Sequence, residues 1–106
     1  MPALQPEIPP HIRDLIRHLP PDIKALVKAA LRFLAQNPRG GTPLGGDLEG
    51  FWKYRVRRFR VIYAVDTRRK ALRVLAVGHR REIYDEVTRI LKTAAESGRR
   101  EAGRDR

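Results

Sequence analysis

The sequence predicts an α+β domain with two N-terminal helices, a three-stranded antiparallel sheet and a C-terminal helix. Apolar residues recur at helical spacing up to Asn37, at strand spacing from Phe51 to Val77, and at helical spacing again after Gly78. The chain has 106 residues, 42% of them hydrophobic, which is enough for one core and too little for two. The sheet gains a fourth strand if the N-terminal arm, residues 1–10, pairs with it.

The two N-terminal helices follow this Pro-rich arm. Its four prolines predict an extended conformation, because proline lacks the N–H that a helix or a central strand needs. The first helix spans about residues 10–19, and its apolar stripe is Ile12, Leu15, Ile16 and Leu19. A Pro-Pro pair ends it, and the second helix buries Ile23, Leu26, Val27, Ala30, Leu31 and Leu34. Asn37 ends the second helix, because the residue before a proline avoids the α region.

Three strands follow a glycine-rich loop, residues 39–50. The loop lacks the Gly-Lys-Ser/Thr of a phosphate-binding loop, so turns that need a positive φ explain its glycines. A tight turn at Arg57-Arg58 and a polar turn at residues 66–69 separate the strands. The third strand, residues 71–77, is apolar at nearly every position, which is typical of a strand covered on both faces.

The last helix is marked by five apolar residues at helical spacing: Ile83, Val87, Ile90, Leu91 and Ala94. Glu82, Asp85 and Glu86 lie in its first turn, where carboxylates interact favourably with the helix dipole. Residues 96–106 have almost no apolar content and are predicted to be disordered. One domain, residues 1–95, is therefore expected.

Composition excludes several classes of site. The chain has no cysteine, which excludes disulfides and thiolate-bound metals. His11, His18 and His79 do not have the spacing of metal ligands, and neither a metal nor a cofactor is expected. No apolar run reaches the roughly 18 residues of a membrane span, and no signal-peptide pattern begins the chain. A cytoplasmic protein without membrane contact is expected.

The positive charge is concentrated in one block. The net charge of the chain is +11, and residues 53–81 contain eleven basic residues against one acid, Asp66. The same block is rich in strand-forming residues, so it is predicted to fold rather than to form a disordered basic arm. A folded basic surface is typical of a site for a polyanion or for an acidic partner.

Within this block the strand period places Lys53, Arg55 and Arg57 on one face, and the tight turn brings Arg60 close to them. This face is either a solvated basic surface or a cradle for RNA phosphates. Three aromatic residues are near enough in sequence to stack on bases: Phe51, Tyr54 and Phe59.

The stretch LEGFWKYRVRRFRVIYAVD, followed by VLAVGHRREIY, resembles the RelE/ParE superfamily of toxins from bacterial type II toxin–antitoxin systems. The shared elements are a glycine-rich lead-in, an aromatic and basic strand, a Phe-Arg-Val-Ile-Tyr strand and a Gly-x-Arg…Tyr ending. The resemblance covers about residues 44–91 and implies the RelE-like fold. RelE-like members are ribosome-dependent endoribonucleases that cut mRNA and so inhibit translation, whereas ParE-like members act on DNA gyrase.

The RelE-like mechanism that the resemblance implies uses no metal: the RNA 2′-hydroxyl attacks the neighbouring phosphate, and cationic side chains stabilise the transition state. Lys53 and Arg55 match the two basic residues of the first strand. Arg60 matches the arginine that holds the scissile phosphate. Arg80 matches the arginine that protonates or stabilises the leaving oxygen, and Tyr84 the tyrosine that orients or deprotonates the nucleophile, or stacks on a base.

Four further arginines are candidates for RNA binding: Arg57, Arg58, Arg73 and Arg81. His79 is a secondary candidate for a proton shuttle, because histidine titrates near neutral pH. The alternative is that His79 is an ordinary turn residue at the end of a strand.

The implied partners are the ribosome with its mRNA and an acidic cognate antitoxin, in a dimer or heterotetramer. Two alternatives remain: a ParE-like gyrase inhibitor and a catalytically inactive RNA-binding relative. Two features depart from the family, namely the Pro-rich arm in place of an opening strand, and Arg57-Arg58 in place of a Gly-Asp-type turn.

Overall fold

The computed structural model describes residues 3–79, 83, 85 and 87–89. Two helices and five strands occur within residues 3–79. In chain order they are β1 (Gln5–Glu7), α1 (Pro10–Arg17), α2 (Pro21–Gln36), β2 (Thr42–Pro43), β3 (Trp52–Val56), β4 (Phe59–Asp66) and β5 (Ala71–His79). A 3₁₀ turn spans Gly46–Leu48, and residues 83, 85 and 87–89 are helical.

The strands form one mixed sheet in the order β1-β5-β4-β3-β2. Its centre is the predicted antiparallel meander of β3, β4 and β5. Arg57 and Arg58 form the tight turn between β3 and β4, and residues 67–70 connect β4 to β5. The α+β class and the meander are confirmed, but the expected count of three or four antiparallel strands is corrected to five strands, one of them parallel.

Both additional strands lie at sheet edges. β1 is parallel to β5 at one edge, and the two-residue β2 is antiparallel to β3 at the other. Pro6 and Pro43 are tolerated there because an edge strand does not need every N–H. The backbone N–H of Leu4 donates to the carbonyl of Ala35 at 2.7 Å, which attaches the N-terminal arm to the end of α2. α1 and α2 supply the long crossover that a parallel pair requires.

The main core lies between the helices and one face of the sheet, which we call the helical face. Its buried residues include Ile12, Ile16, Val27, Leu31, Leu34, Val61, Tyr63, Leu72 and Val74. The helical periodicity predicted most of this set. Leu15 and Leu26 differ from the prediction, because they are 37% and 38% exposed at the margins of their helices.

The opposite face of the sheet, which we call the basic face, carries a smaller apolar cluster. Ile62 and Ala76 of the sheet are buried there against Ile83 and Val87 of the last helical residues. β5 is therefore covered on both faces, as its continuous apolar sequence predicts. Ile90, Leu91, Ala94 and the tail at residues 96–106 lie outside the described residues. Within the described ranges, no helix is long and apolar enough to cross a membrane.

Candidate nucleic-acid interface

The β3–β4 hairpin brings the predicted cations of two strands together. Arg55 lies directly opposite Arg60, and Lys53 lies opposite Ile62 in the next but one pair. Because side chains alternate along a strand, Lys53, Arg55 and Arg60 all lie on the basic face. Arg55 is exposed, whereas Lys53 and Arg60 are half-buried. The expected proximity of Arg60 to the first-strand cations is therefore present.

One backbone carbonyl lies between the two arginines. The Nε of Arg55 donates to the carbonyl oxygen of Arg57 at 3.1 Å. Nη1 of Arg60 donates to the same oxygen at 3.3 Å and to the carbonyl oxygen of Phe59 at 3.1 Å. Arg57 adopts φ of 55°, in the left-handed region that side chains other than glycine rarely occupy.

The hairpin concentrates positive charge that no acid among the described residues pairs with. Across the part of the chain that the structure describes, ion pairs join Arg17 to Asp14, His18 to Asp14 and Arg69 to Glu7, and none involves Arg55 or Arg60. Like charges directly opposite one another destabilise an antiparallel pair. The arrangement can therefore bind an anion, and a guanidinium pair is suited to the oxygens of a phosphate.

The rest of the basic face is arranged around this hairpin. Gly78 lies opposite Arg60, and a Cβ at Gly78 would lie in ordinary contact with Ile83, 3.5 Å away, so Ile83 packs over the sheet beside the cations. Arg73 lies opposite Ala64 and is exposed on the same face, at the far end of the sheet from the hairpin. Arg73 is therefore not part of the Arg55–Arg60 cluster.

His79 is not brought to the arginine pair. Its ring packs against Phe59, with ring centroids 4.4 Å apart and planes tilted by 35°. Phe59 and His79 pair across β4 and β5, one position beyond Arg60 and Gly78, so they lie on the helical side of the sheet. Arg80, Arg81 and Tyr84, which the sequence assigns to the site, lie outside the described residues.

The aromatic residues predicted to stack on bases are distributed over both faces. Tyr54 lies on the helical face with its ring 5.8 Å from that of Phe33, and Phe59 contacts His79 as described above. Phe51 lies on the basic face, packed against the smaller apolar cluster. Only Phe51 of these three therefore shares a face with the arginine pair.

Sequence reasoning missed the contacts of Tyr63. Its buried hydroxyl donates to the carbonyl of Pro38 at 2.8 Å and accepts from the backbone N–H of Gly41 at 3.1 Å. Burial raises the pKa of Tyr63. A Cβ at Gly41 would lie 2.5 Å from both the Tyr63 hydroxyl and the Lys53 carbonyl, so only glycine fits. These contacts hold the loop before β2 against the strand that carries Lys53.

Sequence reasoning also missed an apolar groove between α2 and β3. Leu26, Ala29 and Phe33 line it from the helix, and Tyr54 and Arg57 line it from the hairpin. Leu26 and Phe33 are 38% and 45% exposed. The i, i+3, i+7 spacing of the three helical residues was a usable signal, because it forms a stripe beside the buried one.

The described residues contain no cluster of three or more His, Asp or Glu side chains that could hold a metal ion. The chemical capacity of the interface lies in its cations, whose N–H donors and positive charge are on the basic face, at the end of the sheet formed by the β3–β4 hairpin.

Comparison with known proteins places this geometry in a family. A sequence model described as the ParE toxin of type II toxin–antitoxin systems, parDE, matches residues 10–84. Toxin RelG of Mycobacterium tuberculosis is 34% identical over 73 residues, which cover 68% of this chain and 84% of that protein.

Solved structures agree with the family match. The toxin–antitoxin complex RelBE2 from Mycobacterium tuberculosis contains a chain with a TM-score of 0.65 and 29% identity, covering 76% of this chain and 94% of that one. A mutant of the E. coli toxin RelE in the free state has the same fold, with a TM-score of 0.70, 24% identity and coverage of 84% and 99%. The chain belongs to the RelE/ParE superfamily of type II toxin–antitoxin toxins.

Proposed function

We propose that this toxin is a RelE-like endoribonuclease that cuts mRNA on the ribosome and thereby inhibits translation. The observation that supports this proposal best is the Arg55–Arg60 pair, two cations held side by side with no acid paired to either among the described residues. A fold-stabilising surface would mix its charges, whereas a phosphate site benefits from this concentration.

The proposed chemistry is attack of the RNA 2′-hydroxyl on the adjacent phosphorus, with release of the 5′-oxygen of the next nucleotide. Arg60 and Arg55 hold the phosphate oxygens, on which negative charge increases in the transition state. Lys53, two residues before Arg55 on the same face, adds a further cation. In this proposal Arg80 protonates or stabilises the leaving oxygen, and Tyr84 orients or deprotonates the 2′-hydroxyl.

The direct test presents the purified toxin with mRNA bound to programmed ribosomes and follows the fragments by primer extension. We expect discrete cuts in the ribosome-bound message. The matched variant is Arg60→Ala, with Arg68→Ala as the control, because Arg68 is an exposed arginine in the other turn that flanks β4. An intact message in the presence of folded toxin would contradict the proposal.

A second candidate function is inhibition of DNA gyrase, which the match to the ParE family model favours. The same preparation is therefore assayed for inhibition of gyrase supercoiling. Inhibited gyrase with an intact message would establish this alternative. RNA binding without either effect would identify an inactive RNA-binding relative.

The proposed partner is an acidic cognate antitoxin that covers the basic hairpin and the apolar groove between α2 and β3. Support comes from the exposed Leu26 and Phe33 beside Arg57, a surface that an amphipathic acidic segment would complement. The RelBE2 structure is itself a toxin–antitoxin complex. An apolar groove beside positive charge would associate non-specifically with other molecules, RNA among them, if no partner covered it.

The antitoxin proposal predicts that an adjacent gene encodes a short acidic protein, and that protein is the partner used in the test. Leu26→Glu should weaken its binding, whereas Leu15→Glu, at a leucine of nearly equal exposure outside the groove, should not. Association should slow as salt concentration rises. Equal effects of the two substitutions would place the antitoxin elsewhere.

A further inference from the structure

Two turns flank β4, and each contains a basic residue in the left-handed region. Arg57 has φ of 55° and Lys70 has φ of 53°, and they are the non-glycine residues with positive φ in the described part of the chain. L-residues with a Cβ seldom adopt this conformation, because the Cβ then crowds the following carbonyl oxygen. Such a conformation persists where the surrounding structure holds it, and a two-residue hairpin turn is one such setting.

The carbonyl oxygens of these two residues accept different kinds of hydrogen-bond donor. The Lys70 carbonyl accepts the backbone N–H of Gln5 at 2.8 Å, which attaches edge strand β1 to the sheet. The Arg57 carbonyl instead accepts two side-chain donors, from Arg55 at 3.1 Å and from Arg60 at 3.3 Å. The Lys70 carbonyl thus bonds to the backbone of an edge strand, whereas the Arg57 carbonyl bonds to two guanidinium side chains.

We infer that the backbone carbonyl of Arg57 is a positioning group of the candidate site, holding the side chains of Arg55 and Arg60 together as one anion-binding unit. The two side chains carry the same charge at directly opposite positions, so they repel each other and would separate into solvent if unattached. A carbonyl oxygen between them offsets part of this repulsion and restricts their rotamers.

The donors left over fit this role. A guanidinium has five N–H donors, and Arg55 uses its Nε–H on the turn carbonyl, which leaves both of its Nη groups for a ligand. Arg60 uses Nη1 on two carbonyls and keeps Nε and Nη2. The turn therefore orients the pair without consuming the donors that a phosphate would need.

The expected effect on catalysis rests on the proposed RNA cleavage. The orientation of Arg55 and Arg60 by the Arg57 carbonyl does not depend on that proposal. The position of the Arg57 backbone matters for orienting the pair, and the side chain of Arg57 does not. Replacing the side chain by Arg57→Gly keeps the carbonyl, since glycine adopts positive φ readily. Inserting one glycine between Arg57 and Arg58 moves the carbonyl, while a three-residue hairpin loop is still compatible with paired strands.

The test is an NMR measurement on the free toxin, using the ¹Hε–¹⁵Nε signals of arginine. In the parent, the Arg55 signal should exchange with water at least about tenfold more slowly than that of Arg68, which has no such acceptor among the described residues. The protection should persist in Arg57→Gly and disappear in the insertion variant. Lys70→Gly is the matched control and should leave the Arg55 signal unchanged.

Cleavage of ribosome-bound mRNA by the same proteins supplies the functional readout. The insertion variant should lose at least about tenfold in kcat with a smaller change in KM, because misplaced groups lose transition-state contacts first. Equal exchange of Arg55 and Arg68 in the parent would overturn the inference, whether or not any variant folds. If the parent cuts no RNA while Arg55 is protected, the proposed function fails and the positioning role remains.

Discussion

The two turns that flank β4 each contain a basic residue with a positive φ, but they differ in how their charges are paired. In the turn at residues 67–70, the Asp66 carboxylate accepts the backbone N–H of Arg69 at 3.1 Å, and the Arg69 side chain pairs with Glu7 at 2.8 Å. In the turn at Arg57-Arg58, no described carboxylate is paired with the cations. In the first turn Arg69 is paired with an acid and the Lys70 carbonyl anchors β1, whereas in the second turn no cation is paired with an acid among the described residues.

The comparison indicates that the Arg57-Arg58 turn has features that lower the stability of the fold. A non-glycine residue in the left-handed region costs about 1–2 kcal/mol of folding free energy. Two like charges at directly opposite positions of paired strands add a cost of up to about 1 kcal/mol. In the 67–70 turn, hydrogen bonds and an ion pair offset the first cost. In the Arg57-Arg58 turn, the compensating side-chain contacts among the described residues are the hydrogen bonds that Arg55 and Arg60 donate to the carbonyls of Arg57 and Phe59. Local violations of this kind are expected at functional sites.

The largest expected effect separates the two turns by activity. Arg60→Ala should reduce the rate of cleavage of ribosome-bound mRNA by about 10²–10³-fold, the range seen when one transition-state donor is removed. Arg68→Ala, in the turn at residues 67–70, should stay within about twofold of the parent, as for a substitution at an exposed position. Thermal unfolding of both variants checks that neither loss is due to unfolding. Similar losses in the two variants would remove the functional distinction between the turns.

The next effect concerns the centre of β4, between the turns. Tyr63→Phe should lower the free energy of unfolding by about 1–3 kcal/mol, because the carbonyl of half-buried Pro38 and the N–H of half-buried Gly41 lose their partner. Tyr54→Phe is the control, since the Tyr54 hydroxyl makes no hydrogen bond with the described residues. Urea unfolding of the two variants measures the difference, and equal stability of the two would contradict the role of Tyr63.

The same hydroxyl gives the parent a pH dependence. The pKa of Tyr63 is raised in the folded state by burial, so the unfolded chain loses this proton first as pH rises. The free energy of unfolding should therefore fall as pH rises above the unfolded value of about 10. The part of this fall due to Tyr63 should be absent in Tyr63→Phe, and an identical pH profile in that variant would exclude Tyr63 as its source.

The smallest effect compares the turns by stability alone. Arg57→Gly and Lys70→Gly should each raise the free energy of unfolding by up to about 1 kcal/mol, since relief of the positive φ exceeds the extra chain entropy of glycine. Only Arg57→Gly should also weaken RNA binding, with a log–log salt slope shallower by about 0.7 for one lost phosphate contact. Equal salt slopes in the two variants would show that Arg57 makes no phosphate contact.

Much of the fold followed from local patterns. The helical stripes of α1 and α2, the period-two meander and the tight turn at Arg57-Arg58 are features that neighbouring residues determine. The sequence left a strand in the N-terminal arm open and did not predict β2, because both strands are short, contain proline and depend on partners distant in sequence. The mixed character of the sheet could not be read from residues 1–10 alone.

The candidate site divides in the same way. The alternation of residues and the tight turn predicted that Arg55 and Arg60 would meet. They could not predict that the Arg57 carbonyl would join them, since every residue has a carbonyl and only the backbone angles direct it. The expectation that Tyr54 and Phe59 stack on bases beside the arginines is wrong, because the alternation places both rings on the helical face, opposite the arginine pair.

The central claim is that cations of the Arg57-Arg58 hairpin hold a phosphate that the RNA's own 2′-hydroxyl attacks. The most direct measurement is the chemical identity of the ends produced when the toxin cuts ribosome-bound mRNA, read by mass spectrometry of the fragments. The account predicts an upstream fragment ending in a 2′,3′-cyclic phosphate or a 3′-phosphate, and a downstream fragment beginning with a 5′-hydroxyl. An upstream fragment ending in a 3′-hydroxyl would show that water, not the 2′-hydroxyl, is the nucleophile, and would contradict it.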